Sequence, residues 1–316
     1  FFPERARAAT SKLSRFPSAG RHVLVARVTA DRQRSLSSSH PGRPNPAMLA
    51  AYRRAVAPLV TRVFPWLFTG RKHLPAHDSY VVVANHSGLG TVEALLLPEV
   101  WAREVGMDRR IAGMAHPAML RSLGVGAFLR RGGCVEATRA GAAWARANGA
   151  ALLLFPGGDH ESMRPFWRAR SVDFAGRTGW VRLAREHGLT IVPMAITGTH
   201  LTAPTLGYSK ALAYLSGARL LGVRRVPLSI AGILASLGYL ALSREPRRSV
   251  RAATAALAFA AGFAIPWLPS RVGFHLLPPI QVGELTQSDD EIYARVTGAI
   301  ERVLASEPAS VSFEAL

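Results

Sequence analysis

A single cysteine, Cys134, stands in 316 residues, and lysine occurs only at Lys12, Lys72 and Lys210. One cysteine excludes an intramolecular disulfide and any cysteine-based metal site, and it is compatible with a reducing compartment. The histidines form no His-Glu-x-x-His or other ligand spacing, so neither a metal nor a bound cofactor is expected. A Gly-x-Ser-x-Gly elbow and a Gly-x-x-x-x-Gly-Lys-Ser/Thr loop are also absent, which leaves the usual serine hydrolase and nucleotide-binding readings unsupported. Acids are scarce: 20 Asp and Glu face 39 Lys and Arg, a formal net charge of +19. Such a charge suits a phosphate-bearing partner, either nucleic acid or an anionic bilayer. The arginines are spread along the whole chain, however, and no zinc-finger, basic-zipper or aromatic RNA-binding motif accompanies them. Nucleic acid is therefore not expected as a partner.

Residues 1–46 are rich in Arg, Ser, Ala and Pro and poor in acids, a composition like that of a transit peptide. The start at Phe1 instead suggests an incomplete or mis-set N-terminus, and the segment is expected to be mostly disordered. A core domain is expected over 47–225, an apolar helical hairpin, expected to be membrane-associated, over 226–268, and a completing strand and helix over 269–316. Tyr52, Val56, Leu59, Val60, Val63 and Leu67 recur at helical spacing, with Phe64 and Trp66 thickening the apolar side. This predicts an N-terminal helix, either covering the core or lying on a membrane surface. Apolar strands are predicted at 80–84, 111–114, 150–155, 190–196 and 272–277. Helices alternate with them, near 92–105, 135–148, 174–184 and after Asp289-Asp290-Glu291. Such alternation marks an α/β fold, a mostly parallel mixed sheet flanked by helices.

Two apolar runs, 226–242 and 252–268, flank the link Arg244-Glu245-Pro246-Arg247-Arg248. Each is ~17 residues or about 25 Å as helix, at the lower limit for spanning a bilayer. With arginines in the link and on both outer flanks, a spanning hairpin would break the positive-inside tendency. The favoured expectation is a hairpin that dips into one leaflet; the other is a soluble helical subdomain covering the sheet.

The strand 80–84 breaks into Asn85-His86-Ser87-Gly88. A polar, glycine-rich turn at a strand's carboxyl end sits at the rim where open α/β sheets bind ligands. His86 is the one ionisable group in that turn and suits proton transfer near neutral pH. It reads as a general base or as a capping or core histidine.

Downstream motifs make a family resemblance specific. The order Asn85-His86-Ser87-Gly88, Gly126-Ala127-Phe128-Leu129-Arg130, Phe155-Pro156-Gly157-Gly158-x-x-Glu161 and Val192-Pro193 resembles the glycerolipid acyltransferase superfamily, of the bacterial phospholipid/glycerol acyltransferase type. The resemblance covers about 52–199 and the strand near Arg271. It implies transfer of a fatty acyl group from an acyl-CoA or acyl-carrier-protein thioester to a lipid hydroxyl, with those thioesters as co-substrates and no metal. The arginine-rich surface and the 226–268 hairpin would hold the site at a bilayer, with an expected location on the cytoplasmic face of the membrane, peripheral or monotopic. In the family a histidine followed five positions later by an aspartate forms the catalytic pair. Here Thr91 stands at that position, and the nearest acid is Glu93, seven positions on. Gly88 and Gly90 would loop out the extra length and return Glu93 to His86. Glu93 also reads as a first-turn helix acid. Ser87, Arg130, Arg131, Gly157, Gly158 and Glu161 are expected at the substrate site, one arginine on a phosphate and the glycine amides on the thioester oxygen. His116 and His160 rank below His86. Relatives that accept phosphate-bearing substrates carry Pro-Glu-Gly in the third motif; Pro156-Gly157-Gly158 resembles the branch that acylates neutral alcohols. A non-catalytic lipid-binding or remodelling protein, or an acyl thioesterase, are the alternatives.

Overall fold

The computed structural model describes residues 40–88, 91–122, 124–215, 219, 224–264, 266, 268–281 and 286–306. The expectations for residues 1–39 and for the looping role of Gly90 lie outside these residues. The expected α/β class is the one found. Seven strands form the sheet: β1 (Trp66–Thr69), β2 (Tyr80–Ala84), β3 (Ile111–Ala115), β4 (Val135–Glu136), β5 (Ala151–Leu154), β6 (Thr190–Thr197) and β9 (Val272–Leu276), in the order β1-β9-β6-β2-β5-β3-β4. All neighbours are parallel except β6 and β9. The carboxyl ends of β2, β3, β5 and β6 therefore open on one rim.

β2 lies at the centre, with Val82 opposite Leu153 on one side and Val192 on the other. Buried on both faces, it reads as a continuous apolar run, and alternation sends its side chains to two separate cores. Val81 and Val83 pack with Ala142 and Ala145 of α6 (Arg139–Ala147), Val181 of α8 (Gly179–Glu186) and Val296 and Ile300 of α12 (Asp289–Ser306). Tyr80, Val82 and Ala84 pack with Val60 of α2 (Ala57–Val63) and Val92, Leu96 and Val100 of α3 (Thr91–Glu104). The start of α12 is fixed by a capping box: Ser288 Oγ accepts from Glu291 N at 3.2 Å while Ser288 N donates to the Glu291 carboxylate at 2.7 Å.

Several expectations need correcting. Residues 40–45 are ordered: Gly42 N donates to Gly133 O, Ile111 N donates to Gly42 O, and Asn45 caps α1 (Pro46–Ala55). The single long helix through Leu67 is instead α1, α2 and then β1. Pro65 disfavours helix at Phe64, and the apolar Trp66 and Phe68 go to an edge strand. The glycine-rich stretch after β3 is helical, α4 (Pro117–Arg121) followed by α5 (Val125–Arg131). A Cβ on Gly126 would sit 2.3 Å from Leu120 O, so this glycine serves close helix packing.

The apolar region also begins differently. Pro227 belongs to β8 (Val226–Ser229), which pairs with β7 (Thr205–Ser209) as a two-stranded ribbon; between them lies α9 (Lys210–Leu215). The ribbon carries α10 (Ile230–Leu242) and α11 (Arg248–Ala264), which cross closely where Gly262 meets Gly232. Among the described residues the pair packs chiefly on β8. Leu234, Leu237, Leu242 and Leu257 point outward; Leu257 is 69% exposed. Among the described residues no helix is long and apolar enough to cross a membrane.

Candidate active site

Where β2 ends, Asn85 continues its ladder through a side chain: Nδ2 donates to Ile196 O (2.9 Å) and Oδ1 accepts from Ile196 N (2.7 Å). This ties the turn to β6 and fixes the next residue, His86. The His86 peptide is held on both sides. Its N–H donates to Glu161 Oε2 (3.0 Å), and its carbonyl accepts from Arg164 Nη1 (3.1 Å). The imidazole lies against Phe155, ring centroids 4.7 Å apart, and its side chain is 22% exposed.

Glu93 meets the ring, with His86 Nδ1 2.5 Å from Glu93 Oε2. Because a carboxylate only accepts, Nδ1 carries the hydrogen and Nε2 presents its lone pair. Among the described residues Nε2 has no hydrogen-bond partner. The other carboxylate oxygen, Oε1, accepts from Ser87 N (3.0 Å) and Thr199 Oγ1 (3.0 Å), and the Ser87 and Thr199 hydroxyls are hydrogen-bonded to each other at 2.6 Å. These contacts clamp the buried carboxylate in one orientation. The turn is tight enough to need Gly88: at φ +55° a Cβ there would lie 2.0 Å from Thr199 O. Thr91, at the position where the family has its aspartate, opens α3, and Glu93 on the same first turn reaches back to the ring.

The environment favours a protonatable base. Burial alone would lower the His86 pKa, but the charge and hydrogen bond of Glu93, and the charge of Glu161, outweigh burial and the opposing Arg164. The net direction is upward from the ordinary 6.5. Burial pushes the Glu161 carboxyl up to about 8, although Arg164 and the His86 amide pull it down. Arg164 is itself buried and spreads its donors over the carbonyls of His86, Glu161 and Arg168, with Nη1 3.2 Å from Glu161 Oε1.

The structure thus brings together His86, Glu93, Ser87 and Glu161, with two roles revised. Ser87 and Glu161, expected on substrate, are buried and spent on Glu93 and on the His86 backbone. The Gly158 amide donates to Phe155 O at 3.0 Å, so it is taken by the turn, and Gly157 is buried beside Glu161, where a Cβ would lie 2.4 Å from Glu161 Oε2. The Gly158 amide is therefore not free to serve a thioester oxygen as expected. Arg130 and Arg131 sit on α5, after a strand two positions from β2, or about 10 Å across the sheet. Arg130 Nη1 bonds Leu120 O, and Arg131 is exposed with its carbonyl holding Asn45 N. Neither bonds the His86 cluster. His116 caps α4, and His160 pairs with Asp173 at 2.9 Å. Among the described residues no group of three or more His, Cys, Asp or Glu is placed to hold a metal.

Thr199, Arg164 and the aromatic wall of Phe155 escaped the sequence reading. Two signals were present: Thr199 follows the end of a rim strand, and Arg164 stands three residues after Glu161, the spacing of side chains that meet on one helical face.

An imidazole with a bare Nε2, backed by an oriented carboxylate at the rim of a mostly parallel sheet, is equipped to take a proton from a hydroxyl. Residues 66–197, which hold all four motifs, match the family model described as Acyltransferase. Over those residues the chain is similar to the acyltransferase family. It is 29% identical over 149 residues to an uncharacterized protein of Mycobacterium leprae (strain TN), an alignment taking in 47% of this chain and 41% of that protein. The crystal structure of the 1-acyl-sn-glycerophosphate (LPA) acyltransferase PlsC from Thermotoga maritima aligns at 15% identity and a TM-score of 0.46, covering 83% of this chain and 84% of that one.

Proposed function

We propose that the protein transfers a fatty acyl group from a CoA or acyl-carrier-protein thioester to the hydroxyl of a glycerolipid or other neutral lipid alcohol, with His86 as general base. The observation that carries this is the pairing of His86 Nδ1 with Glu93 at 2.5 Å while Nε2 stays open. Nε2 would take the hydroxyl proton as the alcohol oxygen bonds to the thioester carbonyl. The tetrahedral intermediate would then collapse, breaking the carbon–sulfur bond, and the imidazolium would return its proton to the departing thiolate. Glu93 would hold the tautomer and offset the imidazolium charge. A neutral acceptor is favoured because Gly157 stands where phosphate-accepting relatives have glutamate.

The same reading places the protein at the cytoplasmic face of a membrane. The outward leucines of α10 and α11 would enter one leaflet, and the exposed Arg244, Arg247 and Arg248 of their link would meet anionic headgroups. At about 20 and 25 Å, neither helix matches the ~30 Å hydrocarbon core, which favours a shallow position.

The test is product identification by mass spectrometry after incubation with acyl-CoA and vesicles carrying monoacylglycerol, diacylglycerol, a long-chain alcohol or a lysophospholipid. An acylated neutral lipid is expected. Acyl-CoA hydrolysis independent of acceptor would make the protein a thioesterase, and no consumption of donor would leave a lipid-binding protein. Flotation with anionic vesicles should survive a high-salt wash, and release by salt would count against leaflet insertion.

A further inference from the structure

A pair of arginines beside the third turn has no part in the mechanism above. Arg177 Nη1 donates to the carbonyls of Pro156 and Gly157, 2.9 Å each, so this guanidinium is fixed across the turn whose Glu161 holds His86. Its Nη2 lies 3.6 Å from Asp159 Oδ1, beyond good hydrogen-bond reach. The same carboxylate oxygen is 3.0 Å from Arg225 Nη1, and the Arg225 guanidinium lies over the Tyr208 ring at 4.8 Å. The two guanidinium groups are thus no farther apart than those two contacts allow. Two cations share one half-exposed acid, and the neighbouring His160 is already matched with Asp173. That leaves one positive charge in surplus, with most guanidinium donors still unused among the described residues. Backbone bonds hold one arginine and an aromatic face the other, so little freedom remains to be lost when an anion binds.

We propose that Arg177 and Arg225 form a subsite for a phosphate group of a substrate, carried either on the pantetheine arm of the donor or on a phosphate-bearing acceptor. A phosphate oxygen would accept from Arg177 Nη2 and from the free edge of Arg225, and its charge would displace Asp159 from their shared contact. Lying on the third turn, the subsite would align a substrate whose reacting carbon meets His86. It would also fill the role expected of Arg130 and Arg131, which point elsewhere. This rests on the acyl-transfer reading.

The experiment crosses two donors, palmitoyl-CoA and phosphate-free palmitoyl-N-acetylcysteamine, with two acceptors, lysophosphatidate and monoacylglycerol. Arg225→Gln, which leaves the turn's own bonds intact, is expected to raise KM about tenfold for the phosphate-bearing partner. For the phosphate-free partner KM should stay within about twofold. A rise confined to palmitoyl-CoA assigns the subsite to the donor, and one confined to lysophosphatidate assigns it to the acceptor. Equal changes for every combination, or none, overturn the subsite. Calorimetric binding of free CoA and of glycerol 3-phosphate reads it without turnover: about tenfold weaker binding of one of them by Arg225→Gln is expected, and unchanged binding of both refutes it. A wild-type protein that binds but transfers nothing would sink the acyl-transfer reading while leaving this binding result to decide the subsite.

Discussion

His86→Ala is expected to lower acyl transfer about a thousandfold, the usual loss when a positioned general base is removed. A lipid hydroxyl does not ionise near neutral pH, so without Nε2 its proton has no acceptor at the reacting centre. The fold should survive the change. His86 is partly exposed, and the bonds that fix its position come from its backbone N–H and carbonyl, which alanine retains. Rates with a saturating acceptor, read beside a thermal unfolding curve, separate the two effects. Wild-type turnover in a folded His86→Ala protein would remove the histidine from the chemistry.

Arg164→Met is expected to destabilise the protein by about 3–5 kcal/mol, the cost of leaving one partner of a buried ion pair uncompensated. Arg164 and Glu161 are 5% and 0% exposed, and the arginine also supplies the carbonyls of His86, Glu161 and Arg168. Removing the guanidinium takes away the charge that most opposes the effect of burial on Glu161, so its carboxyl would be pushed further towards the protonated form. The double change Glu161→Leu/Arg164→Met removes both charges and should recover much of the lost stability, as buried pairs replaced by apolar residues often do. Transfer should stay low in the double variant, because the His86 peptide would lose both of its grips. Denaturant unfolding of the two variants checks this. A single Arg164→Met costing less than about 1 kcal/mol would show that the pair is structurally idle.

These expectations show which parts of the site a sequence can carry. The His86 turn was legible because a β-branched run ending in a polar, glycine-rich turn leaves few alternatives to a strand meeting the rim. The pairing with Glu93 was legible in outline, since Gly88 and the helix start allowed seven residues to close where the family uses five. What fixes Glu93 was not. Thr199 lies 106 residues away and reaches the carboxylate only because β6 neighbours β2 in the sheet, a tertiary fact that periodicity does not encode. Polar residues in a motif resemble substrate ligands, but burial turns Ser87 and Glu161 inward to satisfy other groups of the protein. Arg130 shows the reverse case: its motif position was right, and its guanidinium caps a helix carbonyl instead. In the fold, Pro65 and Pro227 marked the places where continuous apolar runs change from helix to strand, and weighing proline against apolar spacing would have separated β1 from α2 and β8 from α10.

The central claim is that His86 and Glu93 act as one base, with glutamate doing the work of the family's aspartate from two positions further along. The pH dependence of kcat/KM in wild type and in Glu93→Gln tests it most directly. The raised imidazole pKa means that the base form appears only above the ordinary value, so wild-type activity should climb with pH through a midpoint above 6.5. In Glu93→Gln the strongest influence holding that pKa up is gone and burial is less opposed, so the midpoint should move down while the maximal rate falls sharply. A Glu93→Gln profile that keeps both the wild-type midpoint and the wild-type rate would contradict the account.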